Sequence, residues 1–285
     1  MTRKAGTVGK ARIAILTITK EEFDIASDVF GLKKNLSATA YFVSDLTAEI
    51  HPIVIRKSSA QTNLISAEAA GELIEDFRPD FIFLIGTAGG YGGRDELKLG
   101  DVVVADYLEY SEYWKYKEKR VLRRKLAYDH PSHFLLDRFF EPLRADDLLW
   151  QPRIKVARPQ DGKPALLPGE IVAGDRLYGD PDNPEQQRIL EFFDKALAFE
   201  MEAVGLARTV YRARRTVDYN PQLMVIRGIS DLVNQDADEN QNTRKEWTPY
   251  AVSAACAVAS ALIEALIKHL ESTEQQSTEE AGTRS

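Results

Sequence analysis

The sequence predicts an α/β protein, a three-layer sandwich with helices on both faces of a central mixed β-sheet. Two observations carry this. Strand-like and helix-like patterns alternate along the chain, as they do where helices connect the strands of one sheet. Residues 81–85 are apolar throughout, as a central strand buried on both faces must be.

The elements follow in order. Residues 11–17 read as a short apolar strand, and 21–30 as a helix with Phe23, Ile25, Ala26, Val29 and Phe30 at roughly helical spacing. An Ile/Val strand over 50–56 precedes a helix over 66–77, which Arg78-Pro79 ends because a residue before proline avoids the helical region. The central strand 81–85 runs into Gly86-Thr87-Ala88-Gly89-Gly90. This is either a tight turn that needs glycine or a place where a ligand approaches the backbone closely. Strands at 100–105, 171–173, 197–199 and 223–227 follow, with helices at 185–195, 203–214 and 251–270.

The stretch 110–168 breaks the alternation, being long, polar, aromatic and charged, and reads as an insertion in a single domain spanning 12–270. Residues 1–11 read as a mobile leader, and 271–285, rich in Ser, Thr, Glu and Gln, as a disordered tail.

Composition bounds the function classes. At 285 residues, 44% hydrophobic and 28% charged, the chain is of ordinary globular type and long enough to bury a sizeable core. No uninterrupted apolar run approaches the roughly 18 residues of a membrane helix, and the run at 13–18 is too short for a signal-peptide core. The expectation is a cytoplasmic protein. Cys256 is the only cysteine, which excludes disulfides within the chain and cysteine-based zinc sites. A net charge of -7 argues against a broad nucleic-acid footprint.

Three segments set carboxylates where their chemistry demands a reason. Glu21 and Glu22 open the helix after the first strand, where the helix dipole alone would favour them. Glu200-Met201-Glu202 lies between an apolar strand and a small-residue helix; one carboxylate could cap that helix, but two exceed the need. Ser230-Asp231 closes a strand and could be a plain helix cap. Ionised groups in apolar runs lose hydration unless a partner, metal or substrate replaces it.

Together these segments resemble the nucleoside phosphorylase superfamily, and within it the methylthioadenosine/S-adenosylhomocysteine nucleosidases. The resemblance covers about residues 12–109 and 170–268. It rests on Glu21-Glu22-Phe23, Gly86-Thr87-Ala88-Gly89-Gly90, Gly100-Asp101-Val102-Val103-Val104, Ala173-Gly174-Asp175, Glu200-Met201-Glu202-Ala203 and Ile229-Ser230-Asp231. It implies cleavage of a purine N-glycosidic bond through a ribosyl cation-like transition state, with no metal or organic cofactor and a homodimeric assembly. By the same resemblance Asp231, helped by Ser230, protonates the purine N7, Glu22 holds the attacking water, and Met201 and Glu202 bind the ribose. Thr87, Ala88 and Gly89 line the substrate, and Arg227 orients Glu202 or is simply a surface residue.

Phosphorylases of this superfamily hold phosphate with arginines, one of them two residues before the Gly-Thr pair; here that position is Leu84. A carboxylate at Glu22 would also repel phosphate, so water is the expected nucleophile. The nucleosidases stack an aromatic on adenine two residues after their Gly-Asp; here Leu177 holds that position and Tyr178 follows it.

The insertion carries Arg120, Arg123 and Arg124 among lysines, tyrosines and Trp114. It is either a solvated basic helix or hairpin, or a phosphate clamp over the ribose 5′ end. The clamp would make the substrate a nucleotide such as AMP or ATP, as in superfamily members that act in bacterial antiviral defence. A reading from another class is a non-catalytic domain that binds nucleotide, nucleic acid or a partner protein.

Overall fold

The computed structural model describes residues 13–35, 41–44, 53–118, 120–177, 179–215 and 217–283. The leader at 1–11 and Tyr178 lie outside them. The first half comprises β1 (Ile13–Thr17), α1 (Lys20–Val29), β2 (Leu32–Asn35), β3 (Tyr41–Ser44), β4 (Ile53–Lys57), α2 (Asn63–Phe77), β5 (Phe81–Gly90) and β6 (Val102–Tyr110). The hairpin β7 (Trp114–Lys117) and β8 (Arg120–Arg123) follows, then the short helices α3 (His133–Leu135) and α4 (Glu141–Ala145). The chain closes with β9 (Leu166–Ala173), α5 (Pro184–Phe192), β10 (Ala196–Glu200), α6 (Ala203–Ala213), β11 (Gln222–Leu232) and α7 (Ala237–Thr283).

Among the described residues nine strands make one mixed sheet, ordered β10-β9-β6-β11-β5-β1-β4-β3-β2. β1, β4, β5 and β11 run parallel, while β6 lies antiparallel to β11. The sheet also curls until β10 meets β5, with Phe199 opposite Gly89 and Ala198 opposite Gly90. Strands β5, β11, β6, β9 and β10 therefore close on themselves, and the second half of β5 becomes part of a ring rather than a loop.

Strand alternation divides the core in two. Ile13, Ile15, Ile53, Ile55, Phe81 and Phe83 face α1 and α7. Ala14, Leu16, Val54, Ile82 and Leu84 face α2 and α6. Each such fully buried large side chain contributes about 1.5–3 kcal/mol of transfer free energy, which anchors the strand ends that carry polar groups.

Several expectations need correcting. Gly86-Thr87-Ala88-Gly89-Gly90 is strand, not turn, because β11 pairs it on one edge through Leu232 and β10 on the other. The stretch 110–168 is only partly an appendage: Leu135, Phe140, Leu143 and Trp150 are buried in the core beside α7. Helix α7 begins 14 residues before position 251, since Pro249 and the polar residues ahead of it conceal a helix that continues through the proline. It also runs on through 271–283, where the sequence reading has a disordered tail; Glu, Gln and Ala are sound helix formers. Its apolar part would pass for a membrane span by length and composition, with a window of mean hydropathy 1.9, yet 83% of that window is buried within the protein.

Candidate active site

The site forms where the ends of β5, β10 and β11 meet the start of α1. Thr19 caps α1, accepting a hydrogen bond from Glu22 N (3.2 Å), while the Glu22 carboxylate reaches back to the cap. Its Oε2 accepts from Ile18 N (3.0 Å) and Thr19 N (2.9 Å). Its Oε1 accepts from Thr87 N (2.9 Å) and the Thr87 hydroxyl (3.3 Å). Four donors from two elements thus fix one buried carboxylate against β5. Gly86 makes the approach feasible, because a Cβ there would run into Glu22 and the Arg227 guanidinium. The Thr19-Lys20-Glu21-Glu22 capping pattern is a signal in the sequence for this orientation.

At the end of β10, Glu200 and Glu202 divide their work. Glu200 accepts from Glu202 N (3.1 Å) and Ala203 N (3.0 Å), and so caps α6. Glu202 Oε1 accepts from Thr62 N (3.4 Å), and Ser66 Oγ donates to the Glu202 carbonyl (2.7 Å), so the start of α2 braces the turn. Asn63 extends the brace, donating to the Gly174 carbonyl (3.1 Å) and accepting from Gly205 N (2.9 Å).

Arg227 lies beneath both acids, 1% exposed, and is no surface residue. Its Nη2 donates to Glu200 Oε2 and, at 3.1 Å, to Glu202 Oε2. Burial pushes the Glu202 carboxyl up to about 7; Arg227 pulls it back, and Glu200 and Glu22 push it further up. A buried cation shared between two acids is stable only while all three are present.

Strand β11 supplies the third component through an irregularity. Ile229 pairs with Ala88 and Asp231 with Gly89, which leaves Ser230 as the extra residue of a β-bulge. Bulges re-aim side chains at sheet ends. Here the Ser230 hydroxyl donates to Asp231 Oδ1 at 2.7 Å. A Cβ at Gly89 would sit 3.2 Å from Asp231 Oδ2 and 2.7 Å from a Val233 methyl, so glycine leaves the space that Asp231 occupies.

These groups line a cavity of about 300 Å³, the size of a small-molecule site. Glu22, Thr87, Ala88, Gly89, Leu177, Met201, Glu202, Ser230 and Asp231 all belong to its wall, which brings together most of the residues singled out in the sequence. Phe199, Gln61, Gln241, Arg244 and Arg176 also line it and were not singled out.

The basic insertion is placed elsewhere. It forms the β7–β8 hairpin, and neither Arg123 nor Arg124 lines the cavity. Arg123 pairs with Glu109 and lies over the Phe193 ring at 5.1 Å. Arg124 borders a separate groove with Lys115 and Lys125; the Arg120 side chain lies outside the described residues. Leu84 is fully buried, and every carboxylate contact described for Arg227 is to Glu200 or Glu202.

Comparison with known proteins agrees with this geometry. The sequence model of the phosphorylase superfamily matches residues 12–264. A 5′-methylthioadenosine/S-adenosylhomocysteine nucleosidase of Staphylococcus aureus (strain MRSA252) is 25% identical over 263 residues, covering 90% of this chain and all of the relative. Among solved structures, the nucleosidase of the same name from Neisseria meningitidis, in complex with methylthio-immucillin-A, superposes with a TM-score of 0.66 at 19% identity, covering 88% of this chain and 97% of that one. The futalosine hydrolase of Helicobacter pylori strain 26695 gives 0.67 at 17% identity, covering 90% and 98%.

Proposed function

The chain belongs to the phosphorylase superfamily, and on that premise we propose that it hydrolyses the N-glycosidic bond of an adenine nucleoside to adenine and a ribosyl product. One observation carries the proposal: Ser230-Asp231 and the Glu22–Glu202 pair of acids share a single small cavity. Asp231, with its Oδ1 held by Ser230, delivers a proton to the purine N7, so that the base departs neutral. Glu202 binds the ribose hydroxyls, and Glu22 positions the nucleophile below the anomeric carbon. Negative charge around the sugar favours the ribosyl cation over the neutral substrate, which is where catalysis requires the preference.

Water is the nucleophile in this proposal. Phosphate would need cations at the floor of the cavity, where a carboxylate, Glu22, lines the wall and Arg227 is engaged by two acids. The reading is supported by relatives named as nucleosidases over nearly the whole chain. A homodimer in the cytoplasm completes the proposal. The α2–α6 face, where Leu64 is 68% and Tyr211 47% exposed, offers apolar surface for a second copy.

The test is adenine release from methylthioadenosine, S-adenosylhomocysteine, adenosine, AMP and ATP, with and without phosphate. Release from at least one compound without phosphate is expected. No release from any of them would remove the hydrolase reading, and an absolute requirement for phosphate would replace water.

A further inference from the structure

Resting on the adenine-nucleoside reading above, we infer that Arg244 reads an anionic group on the 5′ carbon of the substrate. The substrate class is then an adenine nucleoside with a 5′ phosphate or carboxylate, rather than a neutral thioether.

The wall of the cavity divides by chemistry. In the proposed binding mode Asp231, Ser230 and Leu177 belong to the base, and Glu202 and Met201 to the ribose hydroxyls. The rest of the wall includes the apolar Ile18, Phe199 and Val233, and also a polar set, Gln61, Gln241 and Arg244, two amides and a guanidinium. Hydrogen-bond donors are what they offer, and a tetrahedral or planar oxyanion is what such donors fit.

Arg244 is held in place by the fold. Asn240 Oδ1 accepts from Leu232 N at 3.1 Å, which ties the opening of α7 to the end of β11 beside Asp231. Arg244 stands one helical turn further on, where residues four apart share a face. It is half-buried, and among the described residues its guanidinium has no hydrogen bond or ion pair.

The other cations near the site are engaged. Arg227 holds Glu200 and Glu202. Arg176 holds Glu112 at 3.3 Å and Glu185 at 2.7 Å.

Charge also excludes the alternatives for where an anion could sit. Glu22, Glu200, Glu202 and Asp231 would repel one at the base or at the ribose hydroxyls. The wall formed by Arg244 is where substrate charge is attracted. Arg123 and Arg124, outside the cavity, are not needed for this recognition.

The experiment measures kcat/KM for adenine release from adenosine, methylthioadenosine, AMP and adenosine-5′-carboxylate, using the full chain and its Arg244→Ala and Arg244→Lys variants. The wild type should prefer AMP or the carboxylate to both neutral nucleosides, and comparison of these two arms distinguishes phosphate from carboxylate. In Arg244→Ala the ratio of anionic to neutral kcat/KM should fall about 10- to 100-fold, chiefly through KM, and Arg244→Lys should recover part of it. Preference of the wild type for methylthioadenosine, or an equal loss on all four compounds, would overturn the inference. If none releases adenine, the hydrolase reading fails separately and calorimetric binding decides: AMP must bind the wild type more tightly than adenosine and lose that margin in Arg244→Ala. Equal binding of the two by the wild type would overturn the role of Arg244.

Discussion

The floor of the cavity and the β7–β8 hairpin both concentrate charge, but they surround it differently. On the floor, Arg227 of β11, Glu200 and Glu202 at the end of β10, and Glu22 of α1 are all buried; the three carboxylates accept from backbone donors, and Arg227 joins Glu200 to Glu202. On the hairpin, Lys115, Lys117, Arg124 and Lys125 are adjacent in sequence and exposed. The contrast teaches that density of charge along a sequence does not mark a site. Sharing of buried charge across distant segments does, because only a fold that brings partners together can offset the loss of hydration.

The largest effect should come from removing the shared cation. Arg227→Met leaves two buried carboxylates without a counter-charge and should cost about 3–5 kcal/mol of stability, read by urea denaturation; a loss below about 1 kcal/mol would mean that the acids do not depend on it. Next, Asp231→Asn should lower kcat by about 10²- to 10⁴-fold while leaving the denaturation midpoint nearly unchanged. A rate equal to that of the wild type would reassign the acid.

A pH dependence sharpens the comparison further. Glu202 keeps its proton in the folded protein up to about 7, whereas its ordinary value is 4.5. Between these values the unfolded chain ionises first, so this residue's contribution to stability is present below 4.5 and is lost as pH rises toward about 7. The ionised form binds the ribose in the proposed mechanism, so kcat/KM should fall about tenfold per unit as pH drops below that value. Glu202→Gln should remove the stability difference between pH 5 and pH 8; persistence of the same difference would assign it to other groups. The smallest effect belongs to the hairpin, where Lys115→Ala and Lys125→Ala should each change stability by no more than about 0.5 kcal/mol and leave adenine release intact.

The same contrast explains what was legible in the sequence. Glu202 and Asp231 stand out because a carboxylate in or beside an apolar run is costly. The alternation of strands and helices is visible because buried apolar runs such as 81–85 and 223–226 lie between helical patterns. The closure of the sheet is not visible, since it depends on β10 meeting Gly89 and Gly90 at long range. Arg227 reads ambiguously, because only the pairing of β11 with β5 and β6 shows that it points inward beneath Glu200 and Glu202. Arg244 stands in a polar stretch before Pro249, ahead of the helix read at 251–270, and its place on the wall follows only once α7 is known to begin at Ala237. Arg123 and Arg124 misled for the opposite reason: a cluster of basic and aromatic residues looks like a binding motif, yet the pairing of β7 with β8 carries it away from the cavity.

The most direct test of the central claim is turnover in phosphate-free buffer prepared with ¹⁸O-labelled water, using a nucleoside that the chain cleaves. Hydrolysis yields free adenine and a ribosyl product carrying one ¹⁸O at its anomeric carbon in the first turnover, and this is the expected result. Adenine that appears only when phosphate is added, with a phosphorylated anomeric carbon, would contradict it.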